Sequence, residues 1–151
     1  MQPKQALLTT LGVLWASAWA TAAPAFELFV AKEPVYAVVD GELFTGEARA
    51  RLDRSGKLAV RSTRDPSRHC EGQFRFTASD RGEAALQCSD GSDFRLLFQA
   101  MGLASGHGEG PTPHGTVRFT FGLSPEKATP HLGLPAGARL VKAEGGVRLI
   151  L

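Results

Sequence analysis

The residues best suited to chemistry lie in one glycine-rich stretch, residues 102–115, which reads GLASGHGEGPTPHG. Its side chains His107, Glu109 and His114 could act as metal ligands, or as the acid and base of a small hydrolase. A zinc site needs three or four ligands at defined spacing, and this stretch lacks such a set. Gly106, Gly108 and Gly110 are typical of a flexible turn, but glycines at every second place would also leave one strand face bare for close packing of another backbone or an aromatic ring. We therefore predict no metal or cofactor and keep His107, Glu109 and His114 as weak ligand-loop candidates.

A second possible site is the tripeptide Ser89-Asp90-Gly91. A serine beside an aspartate resembles a nucleophile–acid pair, but adjacent residues on a turn point apart, and aspartate is a common turn former. The chain has no G-x-S-x-G nucleophile elbow. We therefore predict no catalytic residues and a protein that is not an enzyme, with Asp90 and Gly91 forming a structural turn.

The chain has two cysteines, Cys70 and Cys88, and they are not in a C-x-x-C arrangement. Two cysteines in an exported chain are most simply explained by one disulfide. A pair of free thiols with a metal or redox role is the alternative. His69 could tune a thiol at Cys70, but a disulfide would remove that thiol.

The N-terminus has the pattern of a secretory leader. Lys4 precedes the apolar run Ala6–Ala18, which is too short for a dedicated membrane-spanning helix. The sequence Ala20-Thr21-Ala22 fits the small-x-small rule for cleavage, so we predict a signal peptide over residues 1–22. Cleavage after Ala20 or Ala25, or an uncleaved anchor, are the alternatives. We expect a periplasmic or secreted mature chain without a transmembrane segment.

The composition of the 151-residue chain, 43% hydrophobic and 21% charged, is typical of a single globular domain, here residues 23–151. Loss of Lys4 with the leader leaves 16 basic and 15 acidic residues, a net charge of about +1. The basic residues are also interleaved with acidic ones. This balance excludes the strongly basic footprint of a nucleic-acid-binding protein.

Alternating apolar and polar residues between the two cysteines predict a β-hairpin. Its arms are Gly72–Thr77 and Glu83–Cys88, divided by a polar turn that contains Gly82. Further strands are expected at residues 26–30, 35–39, 42–52, 57–62, 94–101 and 116–121. We expect Lys32-Glu33-Pro34 to break the first strand from the second.

Glycines recur at a fixed spacing along these hairpins. Gly72 follows Gly46 by 26 residues, Gly82 follows Gly56 by 26, and Gly108 follows Gly82 by 26. We interpret Gly46, Gly56, Gly72 and Gly82 as structural turn residues of a repeated hairpin over residues 26–122. Each hairpin alone is marginal, so neighbouring units must pair to complete the sheet.

The last segment, residues 123–151, has a different pattern. Ser124-Pro125-Glu126 resembles a helix start, and Pro130 limits that helix to one or two turns. Gly145-Gly146, between apolar runs at residues 138–143 and 147–151, predicts a final hairpin. The fold class is therefore all-β: an antiparallel hairpin meander of about eight to ten strands, curled into a small barrel-like or sandwich sheet, with one short helix near the C-terminus.

Phenylalanines recur on successive predicted strands, and pairs spaced two apart share a face. Such pairs are Phe74 with Phe76 and Phe119 with Phe121. We interpret these residues as a common sheet core. A face for an apolar ligand is the alternative, if the sheet forms an open barrel with a cavity of about 300 Å³ or more.

The motifs of residues 44–122 resemble a group of small exported bacterial envelope proteins, many of them lipoproteins. The series runs F-T-G-x-A…S-G-x-L, C-x-G-x-F…G-E-A-x-L-x-C-S-D-G, F…G-H-G-E-G and G-x-V-x-F-T-F-G. This chain lacks a lipobox cysteine and carries an added segment after Gly122. The resemblance implies an envelope location and an all-β fold, and it implies nothing about chemistry. The hairpin glycines also loosely resemble MORN-type repeats, which implies scaffolding or membrane contact by analogy of shape.

These features predict an exported accessory or binding protein that contacts another envelope protein or component. Two alternatives from other classes are a small hydrolase or inhibitor-like module using the His107–His114 loop and a carrier of a small apolar ligand.

Overall fold

The computed structural model describes residues 28–151 and consists of a closed antiparallel barrel, a short helix and a separate hairpin. The barrel strands are β1 (Ala31–Val39), β2 (Glu42–Ala50), β3 (Ser55–Ser62), β4 (His69–Phe76), β5 (Arg81–Cys88), β6 (Asp93–Ala100), β7 (Gly106–Thr112) and β8 (Gly115–Phe121). After them come α1 (Pro125–Ala128), a 3-10 turn (Thr129–His131), β9 (Arg139–Ala143) and β10 (Gly146–Ile150). The predicted all-β fold, its short helix and its final hairpin are confirmed, and the predicted signal peptide lies outside the described residues.

Each barrel strand pairs with its sequence neighbours, and β1 closes the sheet by pairing with β8. The strands alternate in direction, so their turns fall at two ends of the barrel. We call the end with the turns at 40–41, 63–68, 89–92 and 113–114 the disulfide end. The end with the turns at 51–54, 77–80 and 101–105 is the far end, where the described chain also enters at Leu28.

One face of every strand fills the barrel interior. Phe44, Leu58, Leu86, Phe98 and Phe119 belong to this core, which includes residues from all strands except β7. Strand β7 instead offers glycines at the inward positions. Gly106 lies against the ring of Phe121 and Gly108 against the ring of Phe119, where a Cβ atom would come within 2.6 Å of ring carbons. The alternating glycines thus make room for bulky rings in a narrow barrel.

The same packing of a ring against a glycine accounts for the spacing of 26 residues between Gly56 and Gly82. Gly56 on β3 lies against Phe74 of β4, and Gly82 on β5 lies against Phe98 of β6. Each of these glycines therefore leaves space for the inward-facing phenylalanine ring of the following strand.

The turn role assigned to Gly46, Gly56, Gly72 and Gly82 is wrong, because all four lie within strands. A Cβ at Gly46 or Gly72 would meet the carbonyl oxygen of Ala59 or Ala85 on the next strand. Close approach of backbones, and not a turn, requires glycine there. The interpretation of residues 106–110 as a loop is also wrong, since β7 pairs with β6 and β8 across them.

The expected first strand covered residues 26–30. Residues 26–27 lie outside the described part, and Leu28–Val30 precede β1 and are not in a strand. The expected break at Pro34 is also wrong, because β1 runs through it. The Pro34 carbonyl accepts a hydrogen bond from the Gly122 backbone nitrogen, beyond the last β1–β8 pair at Val35. The proline nitrogen faces the same side, so no ladder hydrogen bond to β2 is lost.

The C-terminal segment covers part of the outside of the barrel. Leu123, Ala128, Leu132 and Leu140 pack against outward side chains of β1 and β2, which are Tyr36, Val38 and Leu43. The helix is placed as its sequence predicts: the Ser124 hydroxyl accepts a hydrogen bond from the Lys127 nitrogen, and Pro125 occupies the first turn. The barrel wall thus separates an inner core from an outer one.

Candidate functional sites

His107 and Glu109 lie on the outer face of β7 and make separate contacts. The His107 ring stacks on the ring of His131, from the 3-10 turn, with centroids 4.4 Å apart and 15° between the planes. The Glu109 carboxylate forms an ion pair with Arg118 of β8, with Oε2 and Nε 3.3 Å apart. The stacked pair therefore connects the C-terminal segment to the barrel.

The protonation of His107 is coupled to that contact. Burial lowers the pKa of His107 below its ordinary value, the charge on His131 lowers it further, and Glu109 opposes both effects. The neutral imidazole is therefore the form that the folded chain favours.

His114 lies at the opposite end of the barrel from His107. It occupies the β7–β8 turn at the disulfide end, and the five residues of β7 that follow His107, at roughly 3.3 Å each, separate the two histidines. The three predicted loop residues therefore do not converge on one point. Within residues 28–151, no group of three or more His, Cys, Asp or Glu side chains is placed to hold a metal ion.

A small depression of about 100 Å³ opens at the disulfide end. Its polar rim includes Arg68, His69, Asp90 and His114, and its floor includes Phe44 and Phe94. Cys70 and Cys88 also line it, joined in a disulfide with their Cα atoms 4.0 Å apart. The predicted disulfide is confirmed, and it joins two residues paired directly across β4 and β5.

The rim residues are engaged with the protein itself. The Asp90 carboxylate accepts hydrogen bonds from the Ser92 nitrogen at 2.9 Å and the Ser92 hydroxyl at 2.5 Å, which lowers the pKa of Asp90. Gly91 adopts a φ of +85° in the same turn. Asp90 and Gly91 therefore form the turn that the sequence predicts.

Ser89 and His69 do not form a nucleophile–base pair. The Ser89 hydroxyl accepts a hydrogen bond from the His69 backbone nitrogen at 3.1 Å, and the His69 Nδ1 atom lies 3.0 Å from the Ser67 carbonyl oxygen. These contacts hold the 63–68 loop and the 89–92 turn against the start of β4.

A buried carboxylate beneath the rim was not anticipated from the sequence. Glu42, 8% exposed, forms an ion pair with Arg68 and accepts a hydrogen bond from the Ser62 hydroxyl. The Ser62 oxygen in turn accepts from the backbone nitrogens of Arg64 and Asp65, each at 3.1 Å. These bonds fix the 63–68 loop. No local pattern indicates the pairing, because Glu42 and Arg68 are 26 residues apart and meet only through the β2–β3–β4 register.

The barrel interior is filled by aromatic rings. Phe98 makes edge-to-face contacts with Phe74, Phe76 and Phe121, at centroid distances of 6.4, 5.1 and 5.5 Å. The remaining space is about 40 Å³. A drug-sized ligand needs a cavity of about 300 Å³ or more, so the interior has no room for one.

The far end of the barrel carries most of the exposed large apolar side chains in the described part of the chain. Leu52 is 79% exposed on the β2–β3 turn, and Met101 and Leu103 are 54% and 103% exposed at the β6–β7 loop. Leu28 and Val30 are 71% and 51% exposed where the chain enters β1. Two others lie elsewhere: Leu97 on the barrel wall, 70% exposed, and Leu151 at the C-terminus. This far-end cluster has no counterpart in the sequence-based candidates, because isolated apolar residues in polar turns give no periodic signal.

Comparisons with known proteins assign the chain to no family. No family model and no curated protein matches the chain. A solved structure of a redesigned beta barrel is similar to it, with 12% sequence identity, a TM-score of 0.49 and coverage of 62% of this chain and 89% of that chain. No helix among residues 28–151 is long and apolar enough to cross a membrane.

Proposed function

We propose that this protein is an exported accessory protein of the bacterial cell envelope, periplasmic or secreted, that binds another envelope component without catalysing a reaction. The leader-like N-terminus, the disulfide and the resemblance to exported envelope proteins support this location.

The observation that carries a binding role is the far-end cluster of exposed apolar side chains on a barrel whose interior is full. A partner of this molecule must contact its outer surface. Apolar side chains gathered at one end of a small domain favour that end as the contact.

Neither of the other two functions gains support. A hydrolase using the His107–His114 loop would need these histidines close together, and they lie at opposite ends of β7. A carrier would need a cavity several times larger than the 40 Å³ inside the barrel.

The test is subcellular fractionation followed by capture. We expect the processed, disulfide-bonded protein in the periplasmic or culture fraction, and saturable binding of an envelope protein, wall material or lipid that excess untagged protein displaces. A cytosolic, reduced protein that keeps residues 1–22 would contradict the proposed location. Failure to retain any envelope fraction would contradict the binding role.

A further inference from the structure

The exposed apolar side chains of the far-end cluster lie on separate turns and project into solvent one by one. Leu52 and Leu103 lie on different turns, and each leaves most of its side chain in solvent. A protein partner would need a matching pocket for each of these side chains. A fluid bilayer accepts such side chains independently, because its apolar interior adapts to their positions.

Two arginines lie at the far end together with these apolar side chains. The Arg54 guanidinium lies 3.9 Å from the centroid of the Phe76 ring and donates a hydrogen bond to the Ser79 carbonyl oxygen at 2.7 Å. The Arg51 guanidinium lies 5.1 Å from the Phe29 centroid. Arginine beside exposed apolar groups suits a bilayer surface, because its fork can bind lipid phosphate oxygens while its stem stays among apolar atoms.

The acidic residues nearby are engaged with neighbours. The Asp53 carboxylate accepts hydrogen bonds from the Ser55 nitrogen at 3.0 Å and the Ser55 hydroxyl at 2.6 Å. Asp80 forms an ion pair with Arg81, with the closest atoms 3.5 Å apart. Arg81 balances the charge of Asp80, whereas the Asp53 carboxylate keeps its charge and is only held against its own turn by Ser55.

The chain outside the described residues joins the molecule at this same end. Residues 1–27 contain a single acidic residue, Glu27, and they lead into the exposed Leu28. Any segment held at a membrane would therefore bring the far end, and not the disulfide end, to the lipid.

We propose that the far end docks on the surface of a phospholipid bilayer, with Leu52, Met101 and Leu103 entering the boundary between headgroups and acyl chains. This inference rests on the proposed function, since it specifies lipid as the envelope component that is bound. Only side chains on the turns at the far end would enter the bilayer, so the barrel core and the C-terminal segment stay outside it.

The first test is flotation of the processed protein with vesicles of phosphatidylethanolamine and phosphatidylglycerol. We expect Leu103→Ser to lower the partition coefficient about threefold, and the combination with Leu52→Ser and Met101→Ser to lower it about tenfold or more. The matched control is Leu97→Ser, which removes an equally large exposed leucine from the barrel wall and should leave partition unchanged. An equal loss in Leu103→Ser and Leu97→Ser would overturn the inference.

The second test locates the contact. Both tryptophans of the chain, Trp15 and Trp19, lie within residues 1–22, so the processed protein has no tryptophan of its own. We expect vesicles to shift the emission of Leu103→Trp to shorter wavelength and brominated lipids to quench it, with neither effect in Leu97→Trp. Unshifted emission in both variants would count against lipid contact.

Two further outcomes separate this inference from the function on which it rests. Saturable capture of an envelope protein through Leu52, Met101 and Leu103, with no flotation of the wild type, would overturn lipid docking and leave the binding role in place. A dimer in light scattering that the triple variant converts to monomer would overturn it as well, because a second copy would then cover the far end.

Discussion

Thr120 is a polar residue in an apolar setting. It lies on the outer face of β8 under the C-terminal segment, is 0% exposed, and its Oγ1 atom has no hydrogen-bond partner in the described structure. A buried hydroxyl without a partner costs free energy that an apolar group of the same shape does not.

We therefore expect Thr120→Val to stabilise the fold by about 1 kcal/mol. Urea unfolding of the oxidised protein measures this. The matched control is Thr116→Val, an exposed threonine on the same face of β8, which should change stability by less than about 0.5 kcal/mol. A destabilised Thr120→Val variant would mean that the hydroxyl makes a bond that the geometry does not indicate.

Among the strands, β4 depends on glycine at position 72. A Cβ there would fall on the carbonyl oxygen of Ala85 in β5, where neither backbone can move without breaking the ladder. We expect Gly72→Ala to destabilise the barrel by at least about 1–3 kcal/mol, the usual range for overpacking. Gly102→Ala is the control, because its Cβ would meet only the Ser105 hydroxyl, at 3.1 Å. Similar melting temperatures for the two variants would refute this account.

The hairpin of β4 and β5 is also held by its disulfide. The bridge closes a segment of 18 residues, and the chain-entropy model assigns such a loop roughly 3 kcal/mol. We expect reduction to lower the melting temperature by several degrees. No other cysteine in the chain responds to the reductant, so the wild type under oxidising conditions is a sufficient control. An unchanged melting temperature would show that strand pairing alone holds this hairpin.

The hairpins were predictable because their signals are local. Alternation and the spacing of 26 residues indicated the β2–β3 and β4–β5 units, and Ser124-Pro125 indicated α1. Closure of β1 on β8 was not predictable to the residue, because its pairs join residues at least 80 positions apart. The role of the glycines was misjudged for the same reason, since the ring or carbonyl that each one accommodates belongs to another strand.

The candidate sites show the same limit. Asp90, Gly91 and the disulfide follow from short patterns, whereas the Glu42–Arg68 pair and the His107–His131 stack depend on tertiary contacts. His107 was singled out for a loop that does not exist, and its partner His131 was not considered with it.

At the scale of the whole molecule, the barrel and its C-terminal cover form two cores on opposite sides of one wall. Leu132 and Leu140 are 2% and 1% exposed in the outer core. The His107–His131 stack lies between the 3-10 turn and β7, so it adds a titratable contact between cover and barrel. The free energy of unfolding should therefore depend on pH near the ordinary pKa of histidine, where the carboxylates are still ionised.

The direction follows from the pKa of His107, which burial and His131 hold below its ordinary value of 6.5. The unfolded chain binds a proton as pH falls through 6.5 while folded His107 resists it, so stability is highest above that pH and declines below it. The hydrogen-bonded carboxylates of Asp53, Asp65 and Asp90 have lowered pKa values, and their contribution is lost only as pH falls below about 3.8. We expect the free energy of unfolding to decrease between about pH 7.5 and about pH 5.5, and His107→Gln to flatten this decrease. His114→Gln, an exposed histidine at the other end of the barrel, should leave the slope as in the wild type. If the wild type and His107→Gln have the same slope, the stacked pair does not couple the cover to the barrel.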